Sequence, residues 1–422
     1  MKKVMLKTTL SLAVTLASSQ IFASGFALNE QSISGMGTGF AGRSSSAEDA
    51  STVFGNPAGM SRIKREQVTG GVAAIDASTD IKHASGGAPG GTDKGDMVPF
   101  TAVPMGFYVK PIDEHWAFGV GMYAPFGLVT DYEKSFRGRY AGKESKVQVL
   151  TLQPTVSYAF NDVVSIGFGP TINRIDGKLT SATPGRAGPG SEGEVKVKGD
   201  DTALGYNVGV LVQATDRTRL GLTYHSKVKY SLDGHTKISG IGLGPFNGTK
   251  YDAGLDITTP ESVDFSVTHE LNDQWTIYAG STWTRWSRLK DITVENDGVP
   301  RALGGSAGQI GTIKEEQNWH DTWASAIGAA YKINKQWTLR TGLSVDQSPT
   351  NNTDRSVRIP TGDRKAISFG VGWSPTDDLT IDAAYSYLKE ESVTVNLPAK
   401  GNYRATYHNS ANGFGVGATY KF

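Results

Sequence analysis

Few residues of this chain are spaced for catalysis. Its seven histidines show no zinc-ligand spacing, and cysteine is absent. His225 and His269 fall on strand-like segments. A lipid esterase or phospholipase would need a serine paired with one of them at membrane level. Alternation turns His269 outward and gives His225 no obvious serine partner. Gly37-Thr38-Gly39-Phe40-Ala41-Gly42 spells G-x-G-x-x-G, but no strand precedes it, so the nucleotide reading lacks its structural context. Nothing calls for a metal or cofactor. The chemistry left is recognition. Ile238, Ile241, Leu243, Pro245 and Phe246 form a greasy, glycine-rich stretch suited to capturing an alkyl chain at a loop tip, or equally to loop–loop packing.

The elements that must hold such residues are strands. The last twelve residues, Ala411 to Phe422, alternate strictly. Phe414, Val416, Ala418, Tyr420 and Phe422 share one face, and Gly413, Gly415 and Gly417 the other. Half-buried strands of soluble sandwiches alternate too, so this strand alone does not choose a solvent. The N-terminus does. Met1 to Ala23 reads as a secretory signal: Lys2, Lys3 and Lys7, then an apolar run from Leu10 to Leu16, then Ile21-Phe22-Ala23. No later run of about 18 apolar residues could span as a helix. Removing that segment turns the formal charge from +1 to −2, which gives nucleic acid no footing. Glycine is 52 of 422 residues, above the usual 7% or so, and is spread through the alternating segments.

The turns give the strand number. Six tight turns, at 110–114, 161–162, 215–218, 272–274, 334–336 and 375–378, alternate with seven longer polar connections, near 78–99, 125–146, 175–203, 231–260, 287–318, 347–363 and 390–403. Thirteen connections join fourteen strands. Short periplasmic turns opposite long extracellular loops are the asymmetry of outer-membrane barrels. Residues 65–422 are therefore read as one all-β, 14-stranded antiparallel barrel. Trp337, Leu339, Thr341, Leu343 and Val345 are assigned to lipid, as are Ile367, Phe369, Val371 and Trp373. Leu220, Leu222, Tyr224, Val228 and Tyr230 are assigned outward as well, with His225, Lys227 and Lys229 inward. Trp116, Trp275 and Trp337 follow tight turns and would mark the periplasmic interface. Such a barrel meets outer-membrane lipid and lipopolysaccharide and is read as a monomer.

A lumen this wide cannot be filled by the barrel's own side chains. Residues 24–64 lack a period of two, are rich in small residues and carry Phe26, Leu28, Ile33, Phe40, Val53 and Phe54. That is too apolar for a solvated tail and suits a small helical hatch. Ser46-Ala47-Glu48-Asp49 would cap a short helix through Phe54, which Asn56-Pro57 stops.

Ser24-Gly25-Phe26-Ala27-Leu28-Asn29-Glu30, Asp49-Ala50 and Asn56-Pro57-Ala58 resemble the N-terminal hatch of FadL-type outer-membrane long-chain fatty acid transporters, a family that also includes toluene and other hydrocarbon importers. The similarity continues at Tyr123-Ala124-Pro125-Phe126-Gly127-Leu128, Arg137-Gly138-Arg139-Tyr140, Trp286-Ser287, Trp319-His320-Asp321, Ile359-Pro360 and Asp363-Arg364. It implies passive uptake: capture at extracellular loops, transfer to a hatch-lined pocket, and lateral escape at a kink in the third strand. That strand is read as 115–124, with Gly119 and Gly121 as the places where a defect is least costly. The resemblance makes Phe26 the hatch phenylalanine of the inner pocket. It places Asp346 at an acidic position atop a strand, with Arg340 below on the same inward face. Lys314 lies near a family lysine that could meet a carboxylate. Arg174 is a second cationic candidate, although alternation puts it outward unless a bulge intervenes. Gly25, Asn56, Pro57 and Ala58 are the expected gating residues. Import of aromatic hydrocarbons is the alternative cargo, and a general porin or a lipid esterase the more distant readings.

Overall fold

The computed structural model describes residues 25–184, 192–240, 246–300 and 310–422. The signal segment and Ile241, Leu243 and Pro245 lie outside the described residues. In chain order the strands are β1 (Gln67–Ser85), β2 (Thr101–Pro111), β3 (Trp116–Asp131), β4 (Glu144–Ala159), β5 (Val164–Thr183), β6 (Gly193–Thr215), β7 (Thr218–His225), β8 (Val228–Ser239), β9 (Lys250–Thr259), β10 (Ser262–Glu270), β11 (Trp275–Thr284), β12 (Asp291–Asn296), β13 (Thr312–Glu316), β14 (Thr322–Lys332), β15 (Trp337–Asp346), β16 (Arg364–Trp373), β17 (Leu379–Glu390), β18 (Val393–Leu397) and β19 (Tyr403–Lys421).

Fourteen of these close the barrel. β1 through β7 pair in sequence; the wall then continues β7–β10–β11–β14–β15–β16–β17–β19. β19 returns to β1 with Gln67 opposite Lys421, every pairing antiparallel. A membrane has no water to satisfy a sheet edge, so closure is required rather than optional. The strand number read from the turns is the one observed. β8, β9, β12, β13 and β18 are instead extensions on the long-loop side; β8, for instance, pairs with the upper part of β6, Glu194 opposite Ser239.

The long connections are shorter than the sequence reading made them. The span expected at 175–203 is mostly β5–β6 ladder, still paired at Thr183 and Gly193. β1 runs on to Ser85, and β19 starts at Tyr403. Above the lipid zone both faces of a strand meet water or other loops. The period of two fades there while the backbone ladder persists.

Alternation is accurate inside the lipid zone. Leu339, Leu343, Val345, Phe369, Phe414 and Val416 are all exposed outward. Trp116, Trp275 and Trp337 open β3, β11 and β15 directly after tight turns and are 39–49% exposed. One assignment reverses. The strand entered at Thr218 ends at His225, and Ser226-Lys227 breaks it. Val228 and Tyr230 are buried, whereas Lys227 and Lys229 are exposed. A break of this kind slips the phase by one residue, and every later side chain changes face.

Residues 25–64 lie inside the barrel. Ser32 caps the helix Ile33–Gly37, its Oγ accepting from the Gly35 N–H at 3.0 Å. A second helix, Thr52–Gly55, has no side-chain cap, so Ser46–Asp49 is not a capping box here. Asn56 ends it, and a 3-10 turn follows over Pro57–Arg62. Helices this short do not persist alone; packing against the wall holds them. Ile33 and Met36 seat on Gly413, Gly415 and Gly417, where an added Cβ would come within 2.9–3.0 Å of their side chains. Ile33, Met36, Val53 and Met60 are 0–7% exposed, each contributing about 1.5–3 kcal/mol of burial.

At Gly209 the plug approaches so closely that a Cβ would sit 1.9 Å from Asn56 Oδ1. Gly209→Val should lower stability by about 1–3 kcal/mol through overpacking, measured as an earlier loss of the folded species on heating in detergent. Gly106→Ala, whose Cβ meets nothing within 4 Å, should leave that transition unchanged.

Candidate functional site

The wall opens between β2 and β3. The β2–β3 ladder runs from Pro111 opposite Ala117 to Gly106 opposite Met122 and stops. β2 continues to Thr101 on β1 alone, and β3 continues to Asp131 on β4 alone. Between Tyr123 and Phe126 the β3–β4 register shifts, leaving Ala124-Pro125 as a bulge. Proline suits such a place because it has no N–H to offer the ladder.

The N-terminal segment occupies this open edge. The Leu28 N–H donates to Pro125 O at 2.8 Å, and the Gly127 N–H donates to Phe26 O at 2.8 Å. Ala27 bridges Phe126 between them. The Leu28 side chain, 3% exposed, packs with Ile75 of β1, Val103 of β2, Ala124 of β3 and Ala411 of β19. Phe26 is buried against Trp286, Phe126 and Trp319, with ring centroids 4.9, 5.7 and 6.0 Å away. Gly25 has φ +66°, and a Cβ there would lie 2.6 Å from Trp319 and 2.8 Å from Trp286.

The defect is therefore not at Gly119 and Gly121. Both lie in continuous ladder. Their missing side chains make room for the plug: a Cβ would meet Met60 Sδ at 2.5 Å from Gly119 and Val53 at 3.1 Å from Gly121. Asn56-Pro57-Ala58 is an anchor on the wall. Asn56 Nδ2 donates to Val210 O at 2.9 Å and to Ser44 O at 2.7 Å, while its Oδ1 accepts from the Ala58 N–H at 3.0 Å. Gln153 Nε2 donates to Val53 O at 2.8 Å, and Gln153 Oε1 accepts from Asn207 Nδ2 at 2.6 Å. Thr223 donates to Gly55 O at 2.8 Å. His225 is packed on Phe54, ring centroids 4.9 Å apart; its role is contact with the plug.

Above the plug a cavity is lined by Leu28, Asn29, Arg43, Phe54, Tyr123, Pro125, Phe126, Asn207, His225 and Asp346. It reaches the strand break through Leu28, Tyr123 and Pro125. A neighbouring cavity is lined by Asn29, Glu30, Phe40, Arg43, Asp264, Asp346 and Arg364. Burial pushes the Glu30 carboxyl up to about 7, against the pull of Arg43 and Arg364.

The charged candidates separate. Asp346 faces inward and borders both cavities, with Arg364 at 3.9 Å. Arg340 does not line them. It ties plug to wall through Asp382 at 2.7 Å and Glu48 at 3.3 Å. Arg174 is on the outward row, paired with Asp176 at 3.3 Å and Asp200 at 3.0 Å. The β5–β6 ladder is unbroken past it, so no bulge turns it inward. Lys314 is half exposed on the β12–β13 hairpin, with Glu316 at 2.8 Å and Asp291 at 3.8 Å. Arg174 and Lys314 are thus removed from the inner pocket.

The loop patch also separates. Ile238 is fully buried against Tyr251, with Phe246, Val299 and Ile310 around them, which is loop–loop packing. The apolar groove on this side is elsewhere, lined by Val147, Ile175, Leu179, Leu232, Leu255, Ile257, Ile292 and Val294. Apart from Val147, these residues come from strand tops that the sequence reading placed within polar connections. Trp286 and Trp319, which enclose Phe26, were legible only as motif residues.

Comparison with known proteins agrees with this architecture. The "Long-chain fatty acid transport protein" of Escherichia coli O6:H1 (strain CFT073) is 29% identical over 458 residues, spanning 100% of this chain and 99% of its own. "Outer membrane protein P1" of Haemophilus influenzae (strain Rd) is 28% identical over 476 residues, covering 99% of each. A crystal structure of a Pseudomonas aeruginosa FadL homologue superposes with TM-score 0.82 at 28% identity, over 94% of this chain and 100% of that one. The Pseudomonas putida toluene transporter TodX shares the fold at TM-score 0.66 and 20% identity, over 88% and 94%. The model of the outer membrane protein transport family (OMPP1/FadL/TodX) matches residues 14–422, and this chain belongs to that family of outer-membrane barrels.

Proposed function

We propose that this protein takes long-chain fatty acids, or molecules of similar apolar bulk, across the outer membrane by diffusion through the barrel wall. The observation that carries the reading is the break between β2 and β3 above Gly106 and Met122, filled by the N-terminal segment around Leu28 and adjoining the inner cavity. An alkyl chain caught in the groove around Ile175, Leu232 and Val294 passes to the cavity over the plug. Displacing the Leu28 segment then exposes Val103 and Ala124 as an apolar slot facing the bilayer. The chain leaves sideways, so no energy source is needed: the end state is a lipid environment as favourable as the pocket. Residues 25–64 act as the hatch that keeps the lumen from being an open water pore. Their seat on glycines makes a general porin a poorer fit. The relatives named for long-chain fatty acid transport extend over the whole chain, which favours that cargo over aromatic hydrocarbons. The outward apolar belt meets outer-membrane lipid and lipopolysaccharide, and the closed sheet leaves no edge that calls for a second copy.

Deleting the gene should slow uptake of exogenous oleate while leaving toluene entry near its starting rate. Unchanged oleate uptake with slowed toluene entry would transfer the cargo to the aromatic class. Ala124→Trp should plug the slot. Oleate uptake should fall several-fold, although overpacking of this buried site also brings heat-induced unfolding earlier; full uptake by a folded Ala124→Trp protein would refute lateral exit at this strand.

A further inference from the structure

Most arginines facing the interior are already neutralised. Arg340 is bound to Asp382 and Glu48, Arg364 to Glu390 at 2.7 Å, and Arg358 to Glu315 at 3.1 Å. Arg43 is different. It sits on the plug and borders both inner cavities. Its Nη2 donates to Asn29 Oδ1 at 2.6 Å, and its Cζ lies 5.5 Å from the centre of the Phe40 ring. Among the described residues no carboxylate comes within 4.0 Å of it. Of the acids lining the cavities, Asp264 accepts from Thr282 Oγ1, Asp346 lies beside Arg364, and Glu30, which feels the charge of Arg43 from beyond 4.0 Å, is pushed up to about 7 by burial.

A guanidinium presents five donors in a planar fork that matches a carboxylate through two parallel bonds. Asn29 takes one of those donors, and a cation–π contact with the Phe40 ring holds the group on that side. The Asn29 Nδ2 has no hydrogen-bond partner of its own among the described residues, so it can donate to the same ligand. One side of the cavity is apolar at Phe54, Phe126 and Val228, and it ends at Leu28 and the strand break. A charged head at Arg43 leaves an alkyl chain lying along that apolar side.

We propose that Arg43, oriented by Asn29 and Phe40, binds the carboxylate of a fatty acid in the inner cavity and so selects acids over neutral lipids of the same length. This rests on the fatty-acid reading of the function and adds a headgroup contact on the hatch itself, in place of Arg174 and Lys314.

The test is binding of oleate and of oleyl alcohol to the purified full-length protein in detergent, for wild type, Arg43→Gln and Arg43→Lys. Wild type should prefer oleate. Arg43→Gln should lose about tenfold or more in oleate affinity and bind oleyl alcohol as wild type does; Arg43→Lys should recover part of the loss. Oleate binding by Arg43→Gln at wild-type strength overturns the role of Arg43 and leaves the fatty-acid reading standing. An equal loss for both ligands overturns it too, because a change in plug packing would do that. Failure of wild type to bind either ligand overturns the fatty-acid reading, and the headgroup contact with it.

Discussion

A backbone N–H or carbonyl facing hydrocarbon has no water to turn to, and the architecture follows from that. It forces β19 back onto β1 and makes every barrel neighbour antiparallel. It also explains why the place where β2 and β3 part company is not left empty. β3 beyond Met122 has β4 on one side and no β2 on the other. The hydrogen bonds it lacks are supplied by Phe26 and Leu28 of the N-terminal segment. Pro104 and Pro125 reduce the number of donors to be satisfied there. A strand break in a membrane wall is tolerated where another segment of the chain satisfies the freed backbone groups.

The second consequence is the lumen. A closed wall of fourteen strands needs a filler, and the filler must approach the wall closely to exclude water. Glycine makes that approach possible. Where the plug presents side chains, at Ile33, Met36, Val53 and Met60, the wall presents Gly413, Gly415, Gly417, Gly119 and Gly121. Where the plug presents backbone, as at Ser44 and Pro57, the wall presents Gly221 and Gly167. Charge is handled as strictly. Arg340 meets acids from both plug and wall, which fixes the plug's position without leaving an unpaired ion inside. Against that background, the Arg43 guanidinium borders a half-apolar cavity with no carboxylate within 4.0 Å among the described residues.

Several site residues expected from sequence turned out to do structural work for physical reasons. Gly119 and Gly121 read as weak points of a strand; they are contact points for Val53 and Met60. Arg174 and Lys314 sit on ladders or hairpins that hold them away from the lumen. Ile238 belongs to a buried loop contact, whereas the groove is assembled from Ile175, Leu232, Leu255 and Val294 on separate strands. Each correction concerns which neighbour a residue meets.

That is also the boundary between what was legible and what was not. Period-two alternation is a local property imposed by lipid on one side and lumen on the other. The strand number, the lipid-facing rows, the tryptophans at the tight turns and the apolar character of residues 25–64 could therefore be read along the chain. Alternation disappears where both faces see water, which is why the strand tops, the β8–β9 and β12–β13 hairpins and the phase slip after His225 could not. The break between β2 and β3, the seat of Leu28 within it and the isolation of Arg43 depend on residues tens to hundreds of positions apart coming into contact. No local pattern encodes such pairs, because the hydrogen bonds and ion pairs that set them exist only once the barrel has closed around the plug.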